Sequence, residues 1–135
     1  MSLTVLLPYL FLVVISTVVA RRVGNEYRFV LKPFWTIQTI LSGGKSKAWL
    51  IKEVILNILM LMPVGLLAPM LFERREKTKT LLLGIGISLS IEILQFVMHR
   101  GLAETDDIMS NTLGVLIGIG IYSSVKFVIS CFVKR

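Results

Sequence analysis

The sequence predicts an all-α protein: a polytopic transmembrane helical bundle of four spans, with a re-entrant or interfacial segment between spans one and two. Three observations carry this. The 135-residue chain is 55% hydrophobic with a mean hydropathy of +0.81, beyond the usual range of soluble domains. It holds four apolar runs of 18 or 19 residues, at 3–20, 54–72, 81–98 and 108–125. Each is near the ~20 residues that cross ~30 Å of hydrocarbon at ~1.5 Å per residue. The third and fourth runs also carry polar residues at helical spacing, as expected of helices that face other helices. The length, 1–135, suits one transmembrane domain.

The first run is uncharged. It lacks a basic n-region and an A-x-A pattern before Arg21, so a retained helix is expected rather than a cleaved signal peptide. The linker 21–53 follows, with Pro33, the pair Gly43-Gly44, and the aromatics Tyr27, Phe29, Phe34, Trp35 and Trp49. Trp and Tyr favour the headgroup layer, so residues 29–41 are expected to lie flat on the membrane or dip into it. The second run contains Asn57, Pro63 and Pro69. Each proline removes an N–H and frees a carbonyl four residues back, at Leu59 and Gly65. A kink that opens an inter-helix cavity is expected there. The linker 73–80 is short and basic; the linker 99–107 is short and acidic, with Arg100 against Glu104, Asp106 and Asp107.

Fifteen basic and eight acidic residues give a formal charge of +7. Arg21, Arg22, Lys45, Lys47, Lys52, Arg74, Arg75, Lys77, Lys79, Lys134 and Arg135 flank the runs, where basic side chains attract anionic lipid headgroups. Membrane lipids are therefore the expected partners. Nucleic acid is not, because no folded soluble domain remains to carry it. Strict alternation puts seven basic residues on the side of the termini and eight on the other, so charge leaves the orientation undecided. The single Cys131 permits no internal disulfide and has no evident activating partner. One histidine and scattered carboxylates make no convincing metal site. The chain has no GxSxG, HExxH or P-loop motif, and no cofactor is expected.

The chemistry sits in the third and fourth runs. Gly84, Ser88, Glu92, Gln95 and His99 fall at steps of four, four, three and four, on one helix face. Asp107, Asn111, Gly114 and Gly118 repeat the pattern. Gly114 and Gly118 form a GxxxG surface for close helix approach, and Gly84 with Ser88 a second small-residue pair. Spans three and four are expected to pack through these small residues, with Glu92, Gln95 and His99 facing Asp107 and Asn111. Glu53 and Asn57 join from the start of span two. A carboxylate at such depth costs about 2.5–3.5 kcal/mol on insertion scales, so Glu92 must face protein or trapped water. Thr105 or Asp106 is expected to cap the fourth helix. Arg100 is expected to pair with Glu92, Asp106 or Asp107, or to clamp an anionic group. His99 reads as interfacial. Asn57, Glu92, Gln95, Arg100, Asp107 and Asn111 are the candidate ligand-binding set. Glu92 is the one candidate acid or base for an enzyme reading; no nucleophile is evident. A structural module that only packs helices is the third reading.

At these residues the chain resembles the VanZ-like family. The resemblance rests on Leu56-Asn57-Ile58-Leu59, Met62-Pro63-Val64-Gly65, the run Ser90 to Gln95, Arg100, the run Asp106 to Gly114, and Gly118. It covers about 53–121, with small local variations at Met62-Pro63 and Ser110-Asn111. The resemblance implies a multi-pass protein of the bacterial plasma membrane with cytoplasmic termini. It also implies a link to low-level resistance to teicoplanin, a glycopeptide carrying an acyl chain. The polar end would then face outward, where a lipoglycopeptide or a lipid-linked cell-wall precursor is met. Binding of such an amphiphile is the expected function; an enzyme acting on a lipid-linked precursor is the alternative.

Overall fold

The computed structural model describes residues 2–19, 29–43, 47–72, 74–100 and 103–133. In chain order the elements are α1 (Ser2–Val14), β1 (Phe29–Val30), α2 (Trp35–Leu41), α3 (Lys47–Leu67), α4 (Glu76–Val97), β2 (Ala103–Glu104) and α5 (Thr105–Val133). Three helices are long and apolar enough to cross a membrane: Ile51–Leu71, Glu76–Val97 and Thr105–Val133. The first apolar helix, Leu3–Val19, is shorter. It carries Pro8 and widens into a π turn over Ile15–Val19. Arg21, Arg22, Gly44, Lys45, Lys134 and Arg135, and the Trp49 side chain, lie outside the described residues.

The all-α class holds, with one addition and one correction. The addition is a two-residue parallel pairing of β1 with β2, Phe29 with Ala103 and Val30 with Glu104. The segment 29–41 therefore forms a strand and a short helix tied to the start of α5. The Pro63 region is also not an opened cavity. Helix α3 runs through Pro63 and tightens into a 3₁₀ turn, Ala68–Leu71, that carries Pro69. Leu61, Val64 and Ala68 around it are fully buried. The Met60 carbonyl accepts the Tyr9 hydroxyl at 2.6 Å, so a partner from α1 serves the backbone near the proline.

Helices α3 and α5 run parallel in close contact. A Cβ on Gly114 would meet Ile58 of α3, and one on Gly118 would meet Met62 and Leu66. A step of four along one helix matches a step of four along the other, in the same direction. Gly65 answers from α3, where a Cβ would lie 2.8 Å from the Val115 carbonyl carbon. The GxxxG surface of α5 thus meets α3, not α4. Helix α4 uses its small residue differently: Gly84 leaves room for the Val115 side chain. Backbones approach most closely where neither helix carries a side chain, and dispersion there substitutes for a hydrophobic drive that lipid does not supply. Leu6, Leu61, Val64, Ala68, Val115 and Ile119 complete the core.

The end of α4 is set by His99. It has φ 53°, in the left-handed region. The His99 N–H donates to the Phe96 carbonyl at 3.2 Å and the Arg100 N–H to the Gln95 carbonyl at 2.8 Å. This is the Schellman pairing that satisfies the last carbonyls of a helix, with histidine where glycine is usual. The turn returns the chain through β2 to α5, whose first turn carries Asp106 and Asp107. Acidic groups there complement the positive end of the helix dipole.

Candidate functional site

The polar residues gather at one end of the bundle, on the inner faces of α3, α4 and α5. Helices α4 and α5 are antiparallel: Gly84 lies against Val115, and Ser88 meets Asn111. Each step of four along α4 is matched by a step of four back along α5. One turn further, the same register brings Glu92 level with Asp107.

Asn111 is 1% exposed and Ser88 is fully buried. The Asn111 Nδ2 donates to Ser88 Oγ at 3.0 Å. Asn111 Oδ1 is buried with no hydrogen-bond partner among the described residues. Exchanging the amide atoms would orphan the N–H₂ instead, so either assignment leaves capacity for a further polar group. Asn57, at the second turn of the apolar part of α3, donates from Nδ2 to Asp107 Oδ1 at 2.6 Å. This short bond to a carboxylate joins α3 and α5.

Glu92 is 6% exposed. Its Oε2 accepts the Glu104 N–H at 2.9 Å. The carboxylate thus holds the β2 backbone against α4, and it does not point away from the protein. Gln95, 2% exposed, turns toward the first helix: its Nε2 donates to the Thr17 carbonyl at 3.1 Å. Arg100 Nη1 donates to the Val19 carbonyl. The two side chains therefore cap the π turn of the first helix, whose last carbonyls lack partners of their own. A cation also suits the negative end of that helix. Gln95, expected to face Asp107 and Asn111, and Arg100, expected to pair with an acidic residue or clamp an anion, both also serve the first helix.

Asp106 corrects a second expectation. Its Oδ1 accepts the Phe34 N–H at 2.7 Å and its Oδ2 the Thr36 N–H at 2.8 Å. Those donors open α2, which has no side-chain cap of its own. Asp106 is 8% exposed and caps a helix seventy residues away rather than α5. Thr105 Oγ1 adds a bond to the Val30 carbonyl at 3.3 Å. The start of α5 thus fixes β1 and α2 over the polar end of the bundle. The sequence gives no sign of these pairings: the partners are backbone groups of a distant linker, and backbone groups carry no residue signature. Tyr9, Thr17 and Val19 escape notice for a related reason, since an apolar run hides which of its carbonyls the fold leaves unpaired.

Two grooves flank the first turns of α5. One, of about 300 Å³, lies between α4 and α5 and is lined by Leu89, Ile93, Phe96 and Ile108 together with Glu92 and Glu104. The other, of about 380 Å³, lies between α2, α3 and α5 and is lined by Ile37, Ile40, Val54, Ile55, Met109 and Leu113, beside Asp106. An apolar trough with a buried carboxylate in its wall suits the two parts of an amphiphile. Among the described residues no group of three or more His, Cys, Asp or Glu is placed to hold a metal ion.

The sequence matches the VanZ/LLP1 family over residues 2–129. It is also similar to Protein VanZ of Enterococcus faecium, with 30% identity over 71 residues. That alignment covers 53% of this chain and 44% of the relative, so the match spans less than half of the relative's length. No solved structure matches.

Proposed function

This chain belongs to the VanZ/LLP1 family, and we propose that it is a four-span protein of the bacterial plasma membrane that binds an amphiphilic envelope molecule at its polar end. The ligand is a lipoglycopeptide such as teicoplanin or a lipid-linked precursor, and its capture underlies low-level glycopeptide resistance. The shorter first helix completes the fourth span, with the termini inside and the polar end outward. The acyl chain occupies the groove between α4 and α5, and the polar head reaches Glu92. Asn57, Asp107 and Asn111 form the polar floor; Gln95 and Arg100 hold the first helix against it. The observation that supports this reading is Glu92 itself: a carboxylate 6% exposed in the wall of an apolar groove. Intramembrane ionisable groups of this kind mark function more often than packing.

The test uses the purified full chain in detergent micelles, titrated with teicoplanin and with its deacylated core. The wild type is expected to bind teicoplanin at least about tenfold more tightly than the core, because burial of the chain contributes ~0.8 kcal/mol per methylene. Glu92→Gln keeps a hydrogen-bond acceptor but removes the charge, and it is expected to weaken binding by a similar factor. Equal binding of both ligands, or no change in Glu92→Gln, contradicts the reading. Ligand recovered unaltered from the wild type distinguishes binding from turnover.

A further inference from the structure

The far end of α5 outruns the bundle. Lys126 of α5 donates to both oxygens of Glu76, at 2.7 and 2.9 Å, and Glu76 opens α4. Helix α3 stops at the same level. Its Met62 lies against Gly118, so Leu71, the last residue of the 3₁₀ turn that ends it, comes about level with Phe127. Helix α5 continues to Val133. The segment Phe127-Val128-Ile129-Ser130-Cys131-Phe132-Val133 therefore projects about 10 Å past both neighbours, at ~1.5 Å per residue. Every residue from Ser124 to Val133 is exposed, Phe127 by 69% and Phe132 by 75%.

A bilayer of ordinary thickness does not cover this projection. Asp107 and Lys126 are 19 residues apart on one helix, about 29 Å at ~1.5 Å per residue, so they span the ~30 Å hydrocarbon layer. Glu76, Lys77 and Lys79 in the first turn of α4 hold the boundary at the Lys126 level, because charged side chains are costly in hydrocarbon. The projection carries no charge. Its serine hydroxyls are closed on their own helix: Ser124 Oγ donates to the Gly120 carbonyl at 3.0 Å and Ser130 Oγ to the Phe127 carbonyl at 2.7 Å. What covers this end must be apolar and must stand at this height, outside the hydrocarbon layer.

A second copy of the chain meets both conditions. Two copies inserted in the same orientation, related by a twofold axis along the membrane normal, bring their projecting ends to the same height. The face of α5 turned away from the bundle suits a close partner. Ile117, Gly120, Ser124, Phe127 and Cys131 follow at steps of three, four, three and four, the spacing of a helix–helix seam. All five are exposed, and a Cβ on Gly120 meets nothing within 4 Å. We propose that the chain forms a parallel homodimer in which this seam packs α5 against α5 of a second copy, from within the membrane out to the projecting end. None of the five residues lines the Glu92 groove, so the dimer is independent of the ligand site.

The test oxidises the purified full chain in phosphatidylcholine vesicles. Cys131 is the single cysteine, so any disulfide joins two copies, and it forms only where the two Cα atoms come within roughly 7 Å. A cross-linked dimer is expected, in a fraction that holds as lipid is added in excess. Gly120→Leu has open space within its own chain and is expected to remain folded while association weakens by about tenfold. Phe127→Ala removes a seam residue from the projecting end without touching the bundle and is expected to show a similar loss. Gly86→Leu, equally open but on α4, is expected to cross-link as the wild type does. A fraction that falls in proportion to lipid dilution, or one unchanged in both Gly120→Leu and Phe127→Ala, would overturn the dimer. An equal loss in Gly86→Leu would overturn the α5 seam.

Discussion

Gly118→Leu is expected to prevent α3 and α5 from packing. A Cβ at this position would lie 2.7 Å from the Leu66 nitrogen and 2.8 Å from the Gly65 carbonyl carbon, and closer still to the Met62 carbonyl oxygen. All three are backbone atoms, which cannot swing aside as a flexible side chain would. The remaining atoms of leucine have no space, so the helices must separate along the stripe that also includes Gly65 and Gly114. Overpacking of a core costs about 1–3 kcal/mol where side chains can adjust, and the upper end or more is expected here. The measurement is resistance to unfolding in a graded detergent mixture. Gly86 and Gly120 supply the control, because a Cβ on either meets nothing within 4 Å. Gly86→Ala and Gly120→Ala are expected to be neutral or slightly stabilising, since alanine favours a helix by about 0.5–1 kcal/mol over glycine. Equal tolerance of Gly118→Leu and Gly120→Ala would mean that the close contact does not form.

Glu92→Leu is expected to destabilise the chain by about 1–3 kcal/mol, the usual cost of orphaning a buried donor. The orphan is the Glu104 N–H, which the carboxylate holds at 2.9 Å. Glu92→Gln retains an acceptor oxygen and is expected to lose less than half as much stability. If the carboxylate faced lipid, the order would reverse, because leucine is favoured and glutamate penalised in hydrocarbon. The two variants, compared by thermal unfolding, therefore distinguish an inward from an outward Glu92. They also separate its structural from its binding role, since Glu92→Gln should fold but bind poorly.

The helices at α3, α4 and α5 are legible in the sequence because apolar runs of bilayer length leave few alternatives. Their ends are less so. The helices α4 and α5 outrun their apolar cores into charged turns, since Glu76, Lys77 and Asp106 are tolerated where a helix meets polar surroundings. The spacing of Ser88, Glu92 and Gln95, and of Asp107 and Asn111, places them on inward faces, because a polar stripe has no stable position against lipid. Which helix each face meets is harder. The GxxxG stripe predicts close approach but carries no label for its partner, and α3 meets it because Gly65 removes a second side chain at the same level. The acidic linker reads as helix-capping residues, yet Asp106 serves α2 through backbone groups of Phe34 and Thr36. Arg100 reads as a counter-ion or an anion clamp, and its Nη1 also caps the first helix at Val19. In each case a charged residue answers an unpaired backbone group, a need created only when distant segments meet.

The convergence of polar groups from separate helices is tested most directly by a double-mutant cycle on Asn57 and Asp107. The two side chains bond at 2.6 Å between α3 and α5. Unfolding free energies of Asn57→Ala, Asp107→Ala and the double variant are expected to give a coupling of about 1 kcal/mol, within the range of polar contacts between membrane helices. Losses that add to within about 0.3 kcal/mol would contradict the account, because they would mean that these residues do not meet.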